Sequence, residues 1–152
     1  MAYADFSFYS NAYRGDILTD ENADHWLESA SDYVDYVTFH RTEYAFPDRE
    51  RDVLKVKKAV CAIAEALYLI DIQEKASLAA EDVHGMLHGA VASISSGRES
   101  VSFLQNGSAN NAYAKAATDK YEQDRQLRQI AKLYLSCVPD KYGINLLYAG
   151  VM

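Results

Sequence analysis

Apolar residues recur along most of this chain at spacings of three and four, the signature of helices with one buried face. Ala23, Trp26, Leu27, Ala30, Tyr33, Val34 and Val37 form one such stripe. Thr19 or Asp20 is placed to cap it, and Glu21 and Asp24 stand in the first turn, where the helix dipole favours acids. This predicts a helix to about Phe39, followed by a connection over His40–Pro47. Val53, Val56, Val60, Ile63, Ala64, Leu67 and Tyr68 form the next stripe, on a helix opening at Pro47-Asp48 with Asp48 as cap. Between Ala62 and Ile70 its apolar arc widens almost all round, as in a helix touched on several sides. Ser77 is able to cap a further piece to Leu87, which Gly85 and Gly89 weaken. A long helix is expected from about Ala109 to Cys137. Its inner positions are Tyr113, Ala116, Ala117, Tyr121, Leu127, Ile130, Ala131, Tyr134 and Cys137, and Pro139 and Gly143 stop it. A short aromatic element, Asp5–Tyr13, precedes all of these and is closed by Gly15.

The period changes to two around residues 91–104. Ile94, Val101 and Phe103 alternate with serines, which reads as two short strands about a Ser96-Gly97-Arg98-Glu99 turn, with an irregular loop as the alternative. The expected fold class is therefore mostly α: a small single-domain helical bundle over 1–152 with one projecting β-hairpin and an extended C-terminal tail.

The ending is unusual for its lack of charge. Leu146, Leu147, Tyr148, Val151 and Met152 fall in the last seven positions, none of which is charged. Termini normally end polar and frayed unless tied down, so such a tail closes the protein's own core or docks elsewhere. The three helical stripes already supply a core from 23 to 137, and Pro139 and Gly143 free the tail to leave it. Residues 143–152 are accordingly expected to be a docking tail.

Composition narrows the function classes. The 152 residues carry a net charge of −7, unevenly distributed. Residues 1–48 hold ten acids and two bases, the remainder twelve acids and thirteen bases. Such a balance argues against an electrostatic grip on nucleic acid, which needs clustered Lys and Arg. Lys55, Lys57 and Lys58 are the densest basic group and read as a solvated helix face, a DNA-binding regulator being the minor alternative. The most apolar run, Ala59–Ile70, falls well short of the ~20 residues a bilayer requires. No basic region followed by an apolar stretch opens the chain, and an intracellular origin without a membrane partner is expected. Cys61 and Cys137 have no metal-like spacing and are expected as buried thiols on apolar faces.

Catalytic signatures are sparse. His84 and His88 would share a helix face, the spacing a metal uses, with Glu81 beside them. A third ligand and an intervening base are missing, since position 85 is Gly, so a metal-dependent hydrolase is only the alternative. The carboxylates Asp32 and Asp35, or Asp20, Glu21 and Asp24, lie on a polar helix face and read as solubilising. Neither a phosphate loop nor a nucleophile elbow is present. The chain is expected to be no enzyme and to need no cofactor or metal. Its tyrosines suit helix packing and interfaces.

Three ordered segments carry a resemblance. The first is Tyr9…Tyr13-Arg14-Gly15, followed by the helix ending Ala30…Val34-Asp35…Thr38. The second is Val56-Lys57-Lys58-Ala59-Val60-Cys61-Ala62-Ile63-Ala64-Glu65. The third is Ile94 to Phe103 with the closing helix, Tyr134-Leu135 and the ending Leu146-Leu147-Tyr148-Ala149-Gly150-Val151. Together they resemble the head–tail connector (adaptor) proteins of tailed phages and prophages of Gram-positive bacteria. The ending departs from that pattern at Asn145 and at Ala149, which stands where a basic residue is usual, and Gln73–Gly89 has no counterpart. The resemblance implies a structural virion protein of the neck, assembled in the host cytoplasm as a homo-oligomeric ring, typically a dodecamer, between the portal protein and the head-closure (stopper) protein. The tail Leu146, Leu147, Tyr148, Val151 and Met152 would bind the portal. Ser96, Gly97, Arg98 and Glu99 would contact a neighbouring subunit or neck component, and DNA would pass through the lumen without sequence-specific binding. Another neck or tail-completion protein is the alternative within the same biology.

Overall fold

The computed structural model describes residues 1–81, 93–96, 99–102 and 112–150. The protein is mostly helical. In chain order its elements are α1 (Phe6–Phe8), a π-helical turn (Tyr9–Tyr13), α2 (Asp20–Val37), α3 (Arg41–Tyr44), α4 (Glu50–Glu81), β1 (Ser93–Ser96), β2 (Glu99–Ser102), α5 (Ala112–Thr118) and α6 (Lys120–Leu135). Two compact units divide the chain: Met1–Tyr68 with Leu127–Met152, and Leu69–Gln126.

Within the first unit the core follows the predicted stripes. Ala23, Leu27, Ala30 and Val34 on α2 are fully buried, as are Val56, Val60, Ile63 and Ala64 on α4. At the start of α2, the Asn22 side chain accepts from the Thr19 amide at 2.9 Å, half of a capping box that fixes where the helix begins. The helix stops at Val37 because Phe39 and His40 both turn to positive φ, 55° and 60°. Glu50 opens α4, two residues after the expected cap Asp48.

The aromatic segment before α2 packs in an unforeseen way. Asp5 Oδ1 accepts from the Phe8 amide at 2.9 Å, capping α1, and the backbone then widens into the π turn. Arg14, not Gly15, takes the left-handed conformation (φ 61°) that ends it. Gly15 serves a different purpose: it lies against the ring of Tyr9, where an added Cβ would collide with the ring carbons. Tyr9 is completely buried.

The chain after α6 also departs from expectation. The Asp140 side chain accepts from the Tyr142 amide at 2.8 Å and the Ile144 amide at 2.9 Å, Gly143 turns at φ 86°, and Pro139 bridges antiparallel to Asn145. The Leu146 amide then donates to the Val138 carbonyl at 2.9 Å, and Leu146 is fully buried, as are Leu135 and Val138. Pro139 and Gly143 therefore build a turn that returns the chain to the unit instead of releasing it. Leu146 closes the core.

In the second unit, α4 runs without interruption past Ser77 to Glu81, where a separate capped piece was expected. Lys120 pairs with Glu74 at 3.3 Å and Lys75 with Asp71 at 2.7 Å. The expected single helix from Ala109 is two helices, α5 and α6, parted at Asp119, whose side chain accepts from the Tyr121 amide at 2.8 Å. That cap resets the helical phase, which is why Tyr121 faces outward, 75% exposed, against the expected inner position. β1 pairs antiparallel with β2, Ile94 opposite Val101 and Ser96 opposite Glu99.

Candidate functional site

A cleft of about 740 Å³ opens on the first unit, and it is built by segments distant in sequence. One wall is the stacked pair Tyr3 and Phe46, ring centroids 5.2 Å apart. Tyr3 is held there at both ends. Its amide donates to Ser31 Oγ at 3.0 Å and its hydroxyl to Asp35 Oδ1 at 2.6 Å. The same Asp35 oxygen accepts from the Thr42 hydroxyl, and Thr42 meets Thr38 Oγ1 at 2.8 Å. One carboxylate on α2 therefore ties the N-terminal segment and α3 to the helix. Burial, followed by the Asp35 hydrogen bond and charge, pushes the Tyr3 phenol well above its ordinary range, so it stays a neutral donor. Asp32, Asp35 and Glu43 line the cleft against one lysine, Lys57, and His40. The aromatic wall and acidic rim suit a ligand that is apolar and cationic at once.

A second polar cluster lies in the core. The Tyr9 hydroxyl donates to Glu65 Oε1 at 2.8 Å and accepts from the Ile17 and Leu18 amides, each at 3.0 Å. Tyr13, one π turn on, donates to Glu65 Oε2 at 3.2 Å. Burial raises Tyr9 to about 12 and moves Tyr13 in the same direction. Cys61, one turn before Glu65 on α4, is pushed up to about 12 by burial and then by the Glu65 charge, which keeps it an unreactive thiol. Every polar atom in this knot is matched, so its role is structural. Cys137 is exposed, not buried as the periodicity implied, because α6 ends at Leu135 and the stripe ends with it.

The expected docking residues are dispersed by this arrangement. Leu146 is interior, Leu147 is half-buried and lines a small groove of about 100 Å³ with Phe39, Arg128 and Lys132, and Tyr148 is 55% exposed. A carbon added at Gly150 would stand 3.6 Å from an Arg41 guanidinium nitrogen, which places the ending beside α3. Val151 and Met152 lie outside the described residues. Ser96 and Glu99 are opposed on β1 and β2, while Gly97 and Arg98 lie outside the described residues. His84 and His88 lie outside them too, as do residues 82–87 of the piece expected up to Leu87. Among the described residues, no group of three or more His, Cys, Asp or Glu side chains is disposed to hold a metal, and no helix is long and apolar enough to cross a membrane.

The cleft escaped the sequence reading because its walls are joined across 28 to 43 positions, too far for any local pattern. One signal was available. Ser31, Asp35, Thr38 and Thr42 follow each other at spacings of three and four, a polar line beside the buried stripe, and such lines mark partnered interior groups.

Fold and cleft together define a small helical protein with an aromatic-walled, acid-rimmed recess. No family model, no curated protein and no solved structure matches the chain.

Proposed function

We propose that this chain is a structural subunit of a bacteriophage neck, an adaptor that assembles as a ring between portal and head-closure proteins. The observation that carries the reading is a convergence. Two segments of the resemblance, Tyr9–Gly15 and Val56–Glu65, meet in one buried knot: Tyr9 and Tyr13 on Glu65, with Gly15 against the Tyr9 ring. Residues quoted for the likeness are thus ones this fold needs together.

In this reading the ring's work is adhesion, not chemistry. Tyr148, Leu147 and the final Val151 and Met152 dock on the portal, while Leu146 anchors their base. Each docked large side chain contributes about 1.5–3 kcal/mol of transfer free energy, offset by the ordering of the chain end. Repetition around the ring makes attachment multivalent. In the same reading Ser96 and Glu99, paired on β1 and β2, contact a neighbour together with Gly97 and Arg98. The acidic excess of residues 1–48 repels phosphate, so DNA slides past without sticking.

The test is co-sedimentation with the portal protein encoded in the same locus. Wild type is expected to travel with the portal, and Tyr148→Ala with the last two residues removed is expected not to. Wild type that never travels with the portal would sink the reading.

A further inference from the structure

The cleft of the first unit has a counterpart on the same unit. The outer face of α6 presents Gln129, Lys132 and Leu133 at i, i+3 and i+4, with Ser136 in the turn just past the helix end, and all four are exposed. Leu133 is 76% exposed, with Lys132 beside it and no acid within the stripe. An aliphatic knob next to a cation is the chemistry that an aromatic, carboxylate-rimmed recess accepts. A helix laid in a groove by residues at this spacing is a recurring recognition mode. At about 740 Å³ the recess is of the size that takes a drug-sized ligand, ample for a leucine and a lysine side chain. Its charge is of the right sign: Asp32, Asp35 and Glu43 outnumber Lys57, and the amine of Met1 is already paired with Glu28 at 3.7 Å.

We propose that the cleft receives the α6 stripe of a second copy of this chain, with Leu133 against Tyr3 and Phe46 and Lys132 facing Asp32 and Glu43. The two surfaces are separate on one protomer, because Lys132 borders a different depression, with Phe39, Arg128 and Leu147. A contact between unlike surfaces leaves a free cleft at one end of a pair and a free knob at the other. It therefore propagates, and it closes as a ring when the rotation per subunit allows. The inference names the subunit contact of the ring proposed above and rests on that reading for closure. The pairwise contact stands apart from any portal.

Paired charge reversals test it. Asp32→Lys and Lys132→Glu change exposed side chains, and circular dichroism confirms that each variant is folded. Sedimentation velocity from about ten micromolar to about one millimolar covers the range of weak self-association. Wild type is expected to associate with rising concentration at low salt and less at high salt. Either reversal alone is expected to weaken association at least about tenfold, through like-charge opposition. Mixing the two variants is expected to restore it, since each cleft then meets a knob of opposite sign. Wild type that stays monomeric throughout, reversals without effect, or a mixture that fails to recover would each overturn the contact. Portal co-sedimentation reads separately: a chain that binds portal without self-association loses only this contact, and one that self-associates but ignores portal loses only the adaptor reading.

Discussion

At the scale of single residues, the molecule's commitments are clearest at Tyr9. Its hydroxyl is donor to one group and acceptor from two amides, with the side chain fully buried. Tyr9→Phe keeps the ring but strands the Ile17 and Leu18 amides and one lone pair of Glu65, at a cost of about 1–3 kcal/mol. The phenol also ties stability to pH. Unfolded tyrosine loses its proton near 10.0 and the folded Tyr9 near 12. Between those values the native state holds the proton that the unfolded state has released, so stability falls as pH rises. Below pH 10 this group leaves stability unchanged. Urea midpoints should decline between pH 10 and 12, with a shallower slope in Tyr9→Phe. An equal slope in the variant would show that other groups, such as the similarly shifted Tyr3 and Tyr13, carry the effect. Thiol chemistry offers a second residue-level check. Cys137 should react with a thiol reagent at once, and Cys61 only on unfolding.

Among the elements, the ending decides most. Leu146 is enclosed through a turn whose parts, Asp140, Gly143 and the Pro139–Asn145 bridge, all lie outside it. Leu146→Ala should lower unfolding free energy by about 2–5 kcal/mol, the range for removing a large aliphatic from a closed core. Truncation after Gly143 should destabilise further, losing Leu146 and the Val138 hydrogen bond together, whereas Tyr148→Ala should leave the melting temperature near that of wild type. Retention of full stability after truncation would return Leu146 to the docking role. The expectation of a docking tail over 143–152 implies that outcome, and the reason for the difference is physical. Pro and Gly show where a helix stops but not where the chain goes next, and that depends on the carboxylate of Asp140. Stripes on one-faced helices were legible for the same kind of reason: α2 and α4 bury residues at the spacings their own backbones impose. The break at Asp119 was not, since no Gly or Pro marks it and an aspartate cap does. The π turn was equally hidden, because it adds a residue without changing composition. The cleft was the least legible, resting on Tyr3 reaching Asp35 and stacking on Phe46.

For the whole molecule, the uneven charge is the property with the widest consequence. Residues 1–48 are strongly acidic and the rest nearly balanced, and α2 itself has no lysine or arginine. Its exposed Asp20, Asp24, Glu28 and Asp32 repeat at four-residue spacing, a helical ridge about 18 Å long at the standard rise. Like charges at i, i+4 weaken a helix slightly, so the ridge opposes the stability of the element that bears it. A surface maintained at that cost is suited to refusing phosphate while admitting basic partners. The neck reading therefore expects no mobility shift of duplex DNA by wild type at about 50 mM salt, where even a few cationic contacts would show strongly. Replacing Asp20, Asp24 and Glu28 together with lysine should create weak binding that disappears steeply as salt rises, because the new contacts release counterions. Tight binding by wild type with a steep salt slope would move the chain to the nucleic-acid class, with Lys55, Lys57 and Lys58 as its grip. The absence of binding in both wild type and the triple variant would show that the charge of this ridge is not what keeps duplex DNA off the protein.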